Sequence, residues 1–215
     1  MKTKFFVTLL LALAVAQISF AQTKTTFGIR GGLNLTNLNG EDNSGDDFNY
    51  DLKPGFNVGV NAEIPVGTDF YIQPGVLFSQ KGAKFSDDLK VNLSYIEVPV
   101  NFLYKPELGT GKLLLGFGPY FAVAAGGSYK PDNGDDVDIE FDSKISQAEA
   151  LSGTPYLKRF DAGGNLLVGY EFANKLSFQL NAQLGMLKIN PEIEGIDTDG
   201  KVKNTGFGLS LGYRF

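Results

Sequence analysis

The stretch TGFGLSLGYRF, residues 205–215, decides the fold because its residue types alternate without a break. From Phe207 to Phe215 every second residue is apolar, and the residues between them are Gly, Ser or Arg. A period of two over about ten residues is typical of a β-strand whose two faces meet different surroundings. The sequence therefore predicts a β-rich protein.

Seven further segments alternate in the same way, and we predict them to be strands: residues 27–35, 56–64, 70–78, 96–104, 113–125, 160–172 and 176–186. Tight connections at 65–68, 105–111 and 173–175 alternate along the chain with longer ones at 37–52, 82–90, 128–156 and 188–203. Up-and-down strands place all tight turns at one end. We expect an all-β fold: an eight-stranded antiparallel up-and-down transmembrane β-barrel with short periplasmic turns and long extracellular loops.

The distribution of charge predicts which face meets lipid. Of the 41 charged residues after residue 21, we assign 35 to turns, loops and termini. The other six lie on the Gly, Asn and Ser face of the strands: Arg30, Glu63, Glu97, Asp161, Glu171 and Arg214. A lipid-facing Arg or Lys at the bilayer midplane costs about 2 to 4 kcal/mol, so this face should line the lumen. In an eight-stranded barrel side chains fill that space.

The six lumenal charges are the most informative candidate residues. Because an unpaired buried charge is costly, we predict that Glu63 pairs with Arg30 and Glu171 with Arg214, or that the four share a network. Glu97 should lie nearer the middle of the barrel. The network is either an internal polar plug or a gated proton or ion path, and narrow barrels favour the plug.

Composition excludes several classes of protein. The chain has 215 residues, 27 of them Gly, no Cys and no His, and a formal net charge of −5. Without Cys there is no disulfide scaffold, and without His the usual general base and metal ligand are missing. We therefore predict no enzyme activity, no catalytic residue and no cofactor. The acidic balance argues against a nucleic-acid partner.

The N-terminus predicts a signal peptide over residues 1–21. Lys2 and Lys4 precede an apolar run that is shorter than the roughly 20 residues a transmembrane helix needs. Ser19, Phe20 and Ala21 form a small-x-small cleavage site. We expect cleavage near Ala21, which leaves residues 22–215 as the barrel domain.

Aromatic residues gather at the strand ends next to the tight turns, as an interfacial girdle would: Phe27, Phe70, Tyr104, Tyr170, Phe172, Tyr213 and Phe215. The alternative is that aromatic residues simply favour strands. Tyr213 and Phe215 also resemble the C-terminal assembly signal of bacterial outer-membrane proteins.

Several motifs together resemble a known family. They are FGIRGGLN at 27–34, PGF at 54–56, QPGVLF at 73–78, YIEVPV at 95–100 and GYRF at 212–215. Across nearly the whole mature chain the layout resembles the PorT-like outer-membrane β-barrel family of Bacteroidetes-type bacteria. The resemblance implies an outer-membrane barrel and, for some members, a part in protein secretion or envelope assembly.

The predicted loops are acidic. One cluster is Glu41, Asp42, Asp46, Asp47 and Asp51; the other is Asp132, Asp135, Asp136, Asp138, Glu140 and Asp142. Carboxylate clusters can bind Ca²⁺, and Asp132, Asp135, Asp136 and Asp138 are weak candidates, but the EF-hand spacing is missing. We expect a solvated acidic face and no dedicated metal site. A short helix over 143–151, capped by Asp142 or Ser143, is also expected.

Three functions remain open. The leading hypothesis is a structural or interaction barrel with a filled lumen, acting through its acidic loops. The second is an accessory component of a secretion or envelope-assembly machine, and the third is a narrow channel or a binder of small apolar ligands. The expected partners are outer-membrane lipids, the barrel assembly machinery during biogenesis and envelope or secretion proteins, and we expect a monomer.

Overall fold

Eight long antiparallel strands form the fold. The computed structural model describes residues 24–85, 89–131, 134–196 and 199–215. The predicted signal peptide, residues 1–21, lies outside the described residues. The long strands are β1 (Thr26–Glu41), β2 (Lys53–Gly67), β3 (Phe70–Lys84), β4 (Lys90–Tyr104), β5 (Gly111–Lys130), β6 (Phe160–Glu171), β7 (Leu176–Gly185) and β8 (Lys201–Arg214).

These strands close into a barrel. Each pairs with its neighbours in the chain, and β8 pairs with β1 from Gly28 opposite Arg214 to Glu41 opposite Lys201. The all-β, eight-stranded antiparallel barrel predicted from the alternation is confirmed.

The connections differ at the two ends. Short connections at 68–69, 105–110 and 172–175 define what we call the turn end, and those at 42–52, 85–89, 131–159 and 186–200 define the loop end. Several strands run further toward the loop end than predicted: β1 continues to Glu41, β3 to Lys84 and β5 to Lys130. The alternation ends before hydrogen bonding does, so pattern alone sets these ends too early.

The two faces of the barrel separate as predicted. Large apolar side chains point outward and stay exposed, among them Leu33, Phe117 and Leu211. The inward positions are buried and mostly polar or small. Outward aromatic pairs near the turn end include Phe70 with Tyr104, whose ring centroids are 4.8 Å apart, and Tyr213 with Phe215 at 5.4 Å.

The loops carry their own short elements. Two parallel pairs join Lys144–Ile145 to Glu192–Ile193 and Glu140–Phe141 to Tyr156–Leu157. The remaining short strands are Asp47–Asn49, Glu107–Leu108 and Val137–Asp138. The predicted helix over 143–151 is shorter in the structure: helix α1 spans Gln147–Ala150, and its N-cap is Ser146, not Asp142 or Ser143.

Ser146 takes the N-cap position because Glu149 completes a capping box with it. The backbone N–H of Ser146 donates to the Glu149 carboxylate at 2.7 Å. This hydrogen bond holds the pKa of the Glu149 carboxyl below its ordinary value.

Candidate functional site

The lumen is the candidate site, and its first feature is a group of ion pairs at the turn end. Lys105 Nζ lies 2.7 Å from Glu63 Oε2 and 2.9 Å from Glu171 Oε2. On the other side of Glu63, Arg214 Nη2 donates to Oε1. We call these four residues the turn-end cluster.

The turn-end cluster corrects the predicted pairs. Glu63 pairs with Arg214 and Lys105 instead of Arg30, and Glu171 pairs with Lys105 instead of Arg214. The cause is Lys105, which continues the inward side of β4 two residues beyond Leu103, although the alternation places it in a turn. Its ammonium lies between both carboxylates, so Arg214 is left to Glu63.

A row of amides leads away from this cluster across the lumen. Asn165 donates to Asn101 at 2.8 Å, Asn101 donates to Gln73 at 3.2 Å, and Gln73 donates to Glu63 Oε1 at 3.2 Å. The four side chains come from β6, β4, β3 and β2, so the row spans half of the strands. It ties the barrel walls together with satisfied hydrogen bonds, as buried polar groups require.

A second ionic group lies deeper in the lumen, and we call it the mid-barrel cluster. Lys81 Nζ is 3.0 Å from Glu97 Oε2 and 3.6 Å from Asp161 Oδ2. Gln183 donates to the other oxygen of Glu97. The exposed fractions are 2% for Lys81, 2% for Glu97 and 0% for Asp161.

Aromatic and amide side chains complete the mid-barrel cluster. Asp161 Oδ2 accepts from Tyr120 OH at 3.2 Å and from Asn204 Nδ2 at 3.0 Å. Lys81 Nζ also lies 4.2 Å from the Tyr120 ring centroid and 5.5 Å from that of Tyr95. A desolvated cation over an aromatic face adds roughly 2 kcal/mol. One lysine is therefore held by two carboxylates and two rings.

Arg30 belongs electrostatically to the mid-barrel cluster. It is buried, it interacts with the charge of Glu97, and none of the described carboxylates lies within ion-pair distance of it. Its neighbours in the sheet are Gly59 on β2 and Gly212 on β8. With Arg30 included, two cations balance two carboxylates.

An apolar layer covers the mid-barrel cluster at the loop end. Ile139 from the 131–159 loop and Ile189 from the 186–200 loop pack inside the barrel against Leu38, Leu93 and Ala124. Backbone bonds fix both: the Ile139 N–H donates to Gly127 at 3.0 Å, and the Ile189 N–H donates to Val202 at 2.8 Å. We call this layer the isoleucine cap.

A contact between the two loops reinforces the cap. The Lys158 backbone N–H donates to the Ile189 carbonyl at 2.6 Å, and Lys158 Nζ donates to Glu192 at 3.0 Å. The ammonium of Lys158 holds the pKa of the Glu192 carboxyl below its ordinary value. The loops therefore dock on the barrel as one unit.

Sequence reasoning misses Lys81 and Lys105, which are essential to the two clusters. Neither is among the six predicted lumenal charges, because the apolar alternation fades near both. A usable signal is present: Lys81 has the same parity as Ser79 and Leu77, and Lys105 the same parity as Leu103. Extending each inward series by one step finds both lysines.

The predicted calcium candidates do not assemble into a site. Asp132 lies outside the described residues, and Asp135, Asp136 and Asp138 are exposed. Within the described ranges, no group of three or more His, Cys, Asp or Glu side chains is arranged to hold a metal ion. The described acidic side chains of the two loop groups, residues 41–51 and 132–142, face solvent. The exception is half-buried Glu41, which pairs with Lys201 at 2.9 Å.

The predicted assembly signal lies on the closing strand. Tyr213 points outward from β8, and the Phe215 N–H donates to the Phe27 carbonyl at 2.8 Å. Both rings are exposed on the outer surface at the turn end.

Comparison with protein families identifies this architecture. The outer membrane protein beta-barrel domain matches residues 20–189, most of the chain. The chain belongs to this family. The resemblance noted from the motifs is thus confirmed at the level of outer-membrane barrels. No curated protein sequence matched.

Several solved structures of outer-membrane barrels are similar to this chain. Neisserial surface protein A, from Neisseria, aligns over 90% of this chain and 100% of its own, with 12% identity and a TM-score of 0.50. Ail of Yersinia pestis aligns over the same shares with 14% identity and a TM-score of 0.42. A major outer membrane protein of Thermus thermophilus also aligns over these shares, with 13% identity and a TM-score of 0.46. At these identities the likeness to the Neisseria protein concerns the fold alone.

In the part of the chain that the structure describes, no helix is long and apolar enough to cross a membrane.

Proposed function

We propose that this small outer-membrane barrel is an interaction protein of the cell surface, not a pore. The observation that carries the proposal is the closure of the lumen: balanced ion pairs and amides cross it, and the isoleucine cap covers it. A barrel filled in this way has no path for diffusing solutes. Function then falls to the loops, which are acidic and joined to one another.

The proposed orientation places the turn end in the periplasm and the loop end outside, as is general for barrels with short periplasmic turns. The chain would reach this state by cleavage near Ala21 and insertion by the barrel assembly machinery, with Tyr213 and Phe215 as its assembly signal. We propose that it works as a monomer surrounded by outer-membrane lipids.

Single-channel recording tests the closed lumen. The refolded protein in planar bilayers should give no steady conductance, whereas Ile139→Ser/Ile189→Ser should give brief openings because water then reaches the mid-barrel cluster. A stable open channel in the wild-type protein would contradict the proposal and favour the narrow-channel alternative.

Crosslinking on intact host cells tests the loops. A variant with Asp135→Asn, Asp136→Asn and Asp138→Asn should lose its crosslinked surface partner, while a control with Asp69→Asn and Glu107→Gln at the turn end should keep it. Crosslinks to envelope or secretion proteins that are lost only in the turn-end control variant would instead favour the accessory role in secretion or envelope assembly.

A further inference from the structure

A cavity lined by charged side chains opens at the turn end, on the side opposite the acidic loops. It has a volume of about 330 Å³ and reaches the turn-end cluster. Its charged lining is Lys24, Glu63, Lys105, Lys112, Glu171, Lys175 and Arg214. Lys24 lies just before β1, and the other six lie on or next to β2, β4, β5, β6, β7 and β8. Residues from around the whole rim therefore contribute.

Cationic side chains outnumber carboxylate side chains in the lining of the cavity. Five of its lining side chains are cationic and two are carboxylates. Both carboxylates are already occupied, Glu63 by Arg214 and Lys105, and Glu171 by Lys105. Among the residues described, Lys24, Lys112 and Lys175 have no carboxylate within ion-pair distance. Three ammonium groups thus line one small space without an ion-pair partner among the described residues.

Arg214 adds unused donors to the same cavity. Only 8% of this residue is exposed, yet its Nε and Nη1 have no hydrogen-bond partner in the described part of the protein. The guanidinium fits because Gly28 lies opposite in the sheet: a Cβ there would come within 3.0 Å of Nη1. A buried guanidinium with free donors is costly unless something binds it.

We propose that the turn-end cavity binds a small polyanion, the phosphate monoester or dicarboxylate group of a molecule on that side of the membrane. Guanidinium and ammonium groups form strong charge-assisted hydrogen bonds with phosphate and carboxylate oxygens. Two or more negative charges would offset the surplus of cations, which a single charge would not. The cavity has room for such a group together with part of the molecule that carries it.

The mid-barrel cluster shows that the surplus is specific to the turn end. There the cations and carboxylates are equal in number and lie under an apolar cap. Of the two clusters, only the one at the turn end combines an accessible cavity with unpaired cations. The ligand would be periplasmic if the proposed orientation holds, but binding in detergent does not depend on that orientation or on the loops.

Titration calorimetry on the refolded barrel in neutral detergent at low salt tests the proposal. Inorganic phosphate and succinate serve as probes, with acetate as the monovalent comparison. We expect saturable binding of at least one dianion, much tighter than that of acetate and weakened by added NaCl because salt screens the contacts. The dianion that binds more tightly indicates the source of the group.

Matched variants locate the site. Lys24→Gln/Lys175→Gln removes two exposed cations from the mouth without touching the barrel wall, and affinity should fall about tenfold because two charge-assisted contacts are lost. Lys130→Gln/Lys144→Gln removes the same charge from exposed positions at the loop end and should leave affinity unchanged. A heat-modifiable gel band checks that each variant is folded. Absence of saturable binding by the wild-type protein, or equal weakening in both variants, would overturn the proposal.

Discussion

The mid-barrel and turn-end clusters are built from the same residue types at similar distances, but they differ in their access to water. Lys81 lies 3.0 Å from Glu97 under the isoleucine cap, whereas Lys105 lies 2.9 Å from Glu171 beside an open cavity. The side chain of Glu171 is 15% exposed, and Asp161 is fully buried. Similar ion pairs can therefore serve as a sealed structural plug in one place and as the wall of a binding cavity in another.

Lys81→Met should have the largest effect. It leaves Glu97 and Asp161 buried with no ammonium between them, and breaking a buried pair costs about 3 to 5 kcal/mol. Urea unfolding of the refolded barrel measures the loss of free energy. Exposed Lys144→Met should change it by less than about 0.5 kcal/mol.

A second variant separates charge from packing. Lys81→Met/Asp161→Asn keeps one cation, Arg30, whose charge interacts with that of one carboxylate, Glu97, and should regain at least half of the lost free energy. If the double variant is no more stable than Lys81→Met, the cost comes from packing and the electrostatic account of the mid-barrel cluster is wrong.

Lys105→Met should have a smaller effect, about 1 to 3 kcal/mol, because water in the turn-end cavity solvates Glu171 and Arg214 still pairs with Glu63. The same urea titration measures it. A loss equal to that of Lys81→Met would remove the proposed difference between the two clusters.

Opening the isoleucine cap should bring the two clusters closer in behaviour. In an Ile139→Ser/Ile189→Ser background, water reaches Glu97 and Asp161, so the cost of Lys81→Met should fall by about 1 kcal/mol. The cost of Lys105→Met should stay the same in this background. A double-mutant cycle gives both values, and an unchanged cost for Lys81→Met would show that the cap does not control solvation.

The smallest effect concerns the loop contact that holds Ile189. Because Lys158 lowers the pKa of Glu192, this pair stabilises loop docking above the ordinary Glu pKa of about 4.3, and the stabilisation is lost as the pH falls through the lowered value. In Lys158→Gln the Glu192 pKa should rise toward its ordinary value. NMR titration of the side-chain carboxyl measures the shift.

Glu149 is the control for that titration. Its pKa is lowered by Ser146, so this pKa should not change in Lys158→Gln and should change in Ser146→Ala. If the pKa values of both carboxyls shift in Lys158→Gln, the whole loop has rearranged, and loss of the Lys158–Glu192 pair is not the cause of the shift at Glu192.

The barrel is predictable from sequence because alternation depends only on which face meets lipid. Residues such as Leu209 and Ser210 report that choice directly. The ion pairs are not predictable, because the stagger of neighbouring strands decides which inward residues share a level. Arg214 therefore meets Glu63 two strands away, and Arg30 interacts with Glu97 instead. The N-cap at Ser146 depends on a local rule, the capping box with Glu149, that the expectation of Asp142 or Ser143 overlooks.

The pairing of β8 with β1 has a consequence for the order of assembly. The Arg214–Glu63 contact joins residues 151 positions apart, across the seam where the sheet closes. Until the final strand arrives, the fourteen positions of β1 that pair with β8 form an open edge that invites aggregation. Contacts of such long range form slowly. This edge of β1 therefore stays unpaired until residues 201–214 have joined the sheet.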